Sequence, residues 1–164
     1  MKSKHLQVPT DRDWNGYEHD LDLIDFYKLV YGKKVEDVYY YFKNAAHISL
    51  ADELLYSNRK VFQYYIFAFA LYLMLMGEED IEAQEGFLSL LLNREERDQG
   101  SVRQIFHNKY KFDIIDANFS RQPISLSLED VVDSIYKKVK EGHIDTEIYD
   151  DIPKFLEKIK KTIT

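Results

Sequence analysis

Hydrophobic positions change period several times along this chain, and each change marks an element. From Asp20, apolar residues recur at helical spacing. Leu21, Ile24, Tyr27 and Tyr31 form one row, and Leu23, Phe26, Leu29 and Val30 widen it into a broad face. Gly32-Lys33-Lys34 interrupts this helix. Val35, Val38, Tyr39 and Phe42 then predict a one-sided helix ending near Asn44. Ser49, with Asp52 three residues on, reads as the N-cap of a short helix that carries Leu54 and Leu55 and ends near Ser57-Asn58.

The run from Val61 to Met76 is apolar all round, with Gln63 its one clearly polar member. As a helix it spans roughly 24 Å, short of the ~30 Å hydrocarbon layer of a bilayer. Tyr64, Tyr65 and Tyr72 lie inside the run, whereas a membrane-spanning helix concentrates tyrosine at its two ends. The run therefore predicts the buried central helix of a protein core, over residues 60–76, with Met74 and Met76 filling that core and Ala68 and Ala70 marking close helix approach. Gly77 suits its C-terminal break.

Glu78, Glu79 and Asp80 place negative charge at the start of the next helix, whose apolar stripe is Ile81, Phe87, Leu88, Leu91 and Leu92. Asn93 to Asp98 reads as its solvated end. Ser101 with Gln104 fits a capping box for a short helix bearing Val102, Ile105, Phe106 and Tyr110. Residues 111–126 are irregular; Phe112 to Phe119 suits a helical turn or a short strand, ended by Pro123. Ser127 then caps the most periodic segment of the chain, Leu128, Val131, Val132, Ile135, Tyr136 and Val139, which Gly142 stops. Asp151 and Pro153 open a final helix with Phe155, Leu156 and Ile159 on one face. The sum is an all-α, single-domain, irregular bundle of about seven helices around helix 60–76. Residues 1–19 form an arm or loop and residues 20–164 the helical domain.

Composition narrows the function classes. The absence of cysteine excludes disulfides, a thiolate nucleophile and cysteine-ligated metal sites. The N-terminal residues carry charge without the apolar core of a signal peptide, so a cytoplasmic location is expected. Net charge is −7 and clustered: residues 11–25 hold six acids against one base, and residues 78–98 hold eight against two. Such a chain repels phosphate backbones, so neither nucleic acid nor membrane is an expected partner.

No phosphate loop, zinc-protease helix, nucleophile elbow or calcium loop is present. The five histidines, His5, His19, His47, His107 and His143, are scattered, and no cofactor is expected. Glu18, His19 and Asp20 form the one acid–histidine cluster, a weak metal-binding or hydrolytic alternative. Glu78, Glu82 and Glu85 share a helical spacing that suits a solvated acidic face. Ser101 and Arg103, near Arg97, are placed to hold an anion at a helix N-terminus. Trp14, the only tryptophan, sits with Asp13, Tyr17, Glu18 and Asp20 in an acidic segment expected to be exposed, a pattern that suits a partner-binding anchor. The leading expectation is a non-enzymatic protein-binding module, monomer or homodimer, of the immunity, antitoxin or adaptor type, with a basic partner.

Overall fold

The computed structural model describes residues 6–43, 46–114, 119 and 121–164, with 46–49 described in backbone only. Among these, eight α-helices and one two-stranded ribbon make a mostly helical bundle. The helices are α1 (Leu21–Val30), α2 (Val35–Val38, continued by a 3-10 turn over Tyr39–Phe42), α3 (Ala46–Leu55), α4 (Arg59–Leu75), α5 (Ile81–Arg97), α6 (Ser101–His107), α7 (Leu128–Lys140) and α8 (Asp151–Thr162). The expected helix end at Asn44 lies outside the described residues.

The α4 helix is the hub, and every residue from Val61 to Leu73 is buried. Phe69 stacks on Phe42 at 4.8 Å between ring centroids and meets Phe87 of α5 edge-on at 5.4 Å. Its few polar groups fasten the ends of neighbouring elements. Gln63 donates to the Ser101 carbonyl (3.0 Å) and to Gln104 Oε1 (2.8 Å). Tyr64 Oη accepts the Val35 N–H at the start of α2, while Tyr65 Oη lies 2.7 Å from the Val30 carbonyl and 2.9 Å from that of Lys33. Tyr72 donates to Asp80, the N-cap of α5, at 2.7 Å. Interior tyrosines thus satisfy helix-end groups that would otherwise be buried without partners. No helix among the described residues is long and apolar enough to cross a membrane.

The end of α4 departs from expectation. Met74, Leu75 and Met76 are exposed and do not fill the core. Gly77 follows at a close approach: a Cβ there would lie 2.9 Å from Tyr72 Cε1 and 3.1 Å from Leu73 Cα.

The charged end of α5 is solvated only in part: Asn93, Glu96 and Arg97 are exposed, but two residues turn inward. Arg94 is 3% exposed and Glu95 is buried beside it. Arg94 Nη1 donates to the carbonyls of Leu55 (2.8 Å) and Ser57 (2.5 Å) beyond the end of α3, and its guanidinium lies over the Phe62 ring. Glu95 accepts from the N–H groups of Gly100, Val102 and Arg103 at the start of α6. A cation thus meets a helix C-terminus and an anion a helix N-terminus, as the helix dipoles favour. This replaces the Ser101 capping box: Gly100, at φ 93°, is the N-cap, and no side chain of α6 caps it. It also fills the proposed anion position at Ser101 and Arg103 with the protein's own carboxylate.

Other boundaries moved. The α3 helix begins at Ala46, so Ser49 lies inside it and is not its N-cap. Leu21 is 82% exposed, and α1 buries Leu23, Phe26 and Val30 instead. Within the irregular segment, β1 (Lys111–Ile114) pairs antiparallel with β2 (Ile124–Ser127), so a strand follows Pro123. Residues 115–118 of the expected Phe112–Phe119 element lie outside the described residues. Ser127 caps α7 as its periodicity requires, accepting from the Asp130 N–H at 3.1 Å.

Candidate functional site

The segment around Trp14 is built into the body. Trp14 is 2% exposed, packed edge-on against Tyr27 at 5.2 Å and tilted against Phe26 at 5.7 Å and Tyr65 at 6.3 Å. Asn58, before α4, donates to the carbonyls of Asp13 and Asn15 and pins the loop to the core. The expected exposed aromatic anchor is therefore a core residue: an indole buried among four rings, Tyr17 being the fourth, stabilises more than one left in water.

The neighbouring candidates divide in the same way. Asp13 accepts from the Thr10 N–H and hydroxyl, and Asp20 caps α1 through the Asp22 N–H. Tyr17 stacks on Tyr27 at 3.9 Å and remains half-buried. Glu18 and His19 are exposed. With Asp20 holding a helix end, the acid–histidine cluster does not converge, and among the described residues no group of three or more acids or histidines is placed to hold a metal ion.

Three other segments converge on a groove of about 650 Å³. Asp52 comes from α3, Glu82 and Glu85 from successive turns of α5, and Asp150 and Asp151 from the start of α8; Leu55, Phe69, Leu90 and Phe155 line the apolar interior. Local chemistry explains the acids. Glu82 lies in the first turn of α5 and Asp151 in that of α8, where the helix dipole welcomes negative charge. The Glu82–Glu85 pair was legible as one helix face; Glu78 precedes the helix and does not join it.

The groove concentrates one sign of charge. Its one ion pair among the described residues is Asp150 with Lys154, at 4.0 Å and exposed on both sides. Such a pair is worth little. The Glu85 carboxyl is pushed above the ordinary carboxylate range, first by burial and then by Asp151, Asp150 and Glu82. Beside Asp52, Glu53 is pushed up to about 7 by burial and by the charges of Asp25, Asp22 and Asp52. Acids from α3, α5 and the start of α8 thus ring an apolar cleft, and Glu53 with Asp22 and Asp25 of α1 forms a second acidic cluster beside Asp52.

Gly86 completes the site and carries no motif that sequence reasoning could use. It sits inside α5, lines the groove, and a Cβ added there meets nothing within 4 Å. Interior helical glycine costs roughly 0.5–1 kcal/mol relative to alanine, and here neither a turn nor close packing calls for it.

The chain matches no protein-family model, and comparison with curated proteins and with solved structures likewise gives no significant match.

Proposed function

We propose that this protein is a binding module whose acidic groove takes a basic, apolar-anchored segment of a partner protein. The observation that carries this reading is the groove itself: carboxylates from three segments surround an apolar cleft, with one weak internal cation among them. Apolar side chains of the partner fill the cleft, and its Lys or Arg residues offset the clustered charge of Glu82, Asp150 and Asp151, which adds to burial in lifting the Glu85 carboxyl. The surrounding field raises the encounter rate of a basic partner and disfavours acidic ones. Neutralising a basic toxin, as an immunity protein or antitoxin does, and holding a basic tail, as an adaptor does, are both functions of this kind.

The test uses a fluorescein-labelled helical peptide of leucines and lysines, followed by anisotropy at low and high salt. The expected outcome is salt-sensitive binding that weakens on the order of 10-fold or more in the triple variant Glu82→Gln, Glu85→Gln, Asp151→Asn. Glu78→Gln with Glu79→Gln, exposed acids outside the groove, leaves affinity unchanged. Equal binding by the wild type and the triple variant, with both folded by circular dichroism, would remove the groove from the reading.

A further inference from the structure

A second, chemically different groove runs between α7 and α8. Its volume is about 630 Å³, and Val132, Tyr136, Val139 and Leu156 give it an apolar lining. Along its α7 edge runs one exposed stripe at spacings of four, three and four: Glu129, Asp133, Tyr136 and Lys140. Tyr136 is 49% exposed, and Lys140 Nζ lies 5.0 Å from its ring centroid. Neither Glu129 nor Asp133 has an ion pair among the described residues.

We infer that this stripe and groove are the face through which two copies of the chain associate about a two-fold axis. Charge order along the stripe carries it. Running acid, acid, tyrosine, lysine, the stripe is complementary to itself when reversed. A two-fold axis between Asp133 and Tyr136 sets Glu129 against the partner's Lys140 and Asp133 against the hydroxyl of the partner's Tyr136. The same contacts recur on the other side, as an isologous interface requires. The helix dipole alone favours acids early and lysines late in α7, but it does not require them to share one exposed stripe beside an apolar groove. An exposed tyrosine at the middle of that stripe is the residue type enriched at the centre of interfaces. None of the four residues lines the acidic groove, so this association and the proposed peptide binding are separable.

Sedimentation velocity across a concentration series tests it on the full chain. The wild type shifts from the 19.6 kDa monomer toward twice that mass. Glu129→Lys and Lys140→Glu each weaken association on the order of 100-fold, because symmetry places each like-charge contact at both ends of the interface. The double variant restores the dimer, and thermal melts establish that all three are folded. The inference is overturned by a wild type that stays monomeric at its highest soluble concentration, or by single reversals that leave the dimer intact. Failure of the double variant to restore it would equally sink the idea. A monomer whose melting temperature rises with decanoate would instead assign the groove to a small apolar ligand.

Discussion

Arg94 and Gly77 show how much single residues carry here. Arg94 holds the buried Ser57 carbonyl and the part-buried Leu55 carbonyl at the end of α3, and also pairs with Asp98 at 3.1 Å. Removing it leaves the Ser57 carbonyl dry, so Arg94→Met should cost about 1–3 kcal/mol in urea unfolding, the range for one buried group left unsatisfied. Asp98 keeps Arg59 at 2.6 Å, which limits the loss. Arg97→Ala, three residues on, removes an exposed contact with the Tyr56 ring and should cost less than about 1 kcal/mol. Equal losses in the two variants would show that the buried network does not bear on stability. Gly77 acts through space rather than backbone conformation. Its amide donates to the Tyr72 carbonyl at 2.8 Å, and Gly77→Ala forces a methyl against Tyr72 and the Leu73 backbone. A loss of roughly 1–3 kcal/mol is expected, the usual range for overpacking.

Elements with a clean period and a local cap were legible in the sequence. For α7, Ser127, the stripe from Leu128 to Ile135 and Gly142 at φ 74° define start, face and stop without outside help. The apolar run of α4 was equally plain. What the sequence hid are the caps supplied from elsewhere. Glu95 sits in a charged string that reads as solvent-facing, yet its carboxylate begins α6 through amides five to eight residues away. Glu95→Ala should therefore speed hydrogen exchange at the Val102 and Arg103 amides ahead of the rest of the bundle. Uniform acceleration would mean that α6 has no local dependence on Glu95. The groove was hidden for the same reason, since Asp52, Glu85 and Asp151 meet only after α3, α5 and α8 assemble. Within α5, Gly86→Ala should raise stability by about 0.5–1 kcal/mol and also weaken peptide binding, because the methyl fills groove space. Unchanged affinity would show that the groove near Gly86 is not occupied.

At the scale of the whole molecule, charge is arranged against stability. Glu53 is raised first by burial and then by Asp25 and Asp22 of α1 and its own neighbour Asp52. Its carboxyl titrates near 7 in the folded chain against an ordinary value of 4.5. Between those values the folded state holds a proton that the unfolded state has released, so stability falls as pH rises through that window and levels above it. Asp98 works in the opposite sense. Arg59 holds its carboxyl below the ordinary 3.8, so its contribution is present above that value and is lost only as pH falls further. The two windows do not overlap, which makes Glu53 separable. Glu53→Gln mimics the protonated carboxyl at every pH. Its melting temperature should match that of the wild type near pH 4, below the ordinary 4.5, exceed it near pH 8, and vary less between them. Parallel curves for wild type and variant would show that neither burial nor the neighbouring acids lift the Glu53 carboxyl in the folded chain.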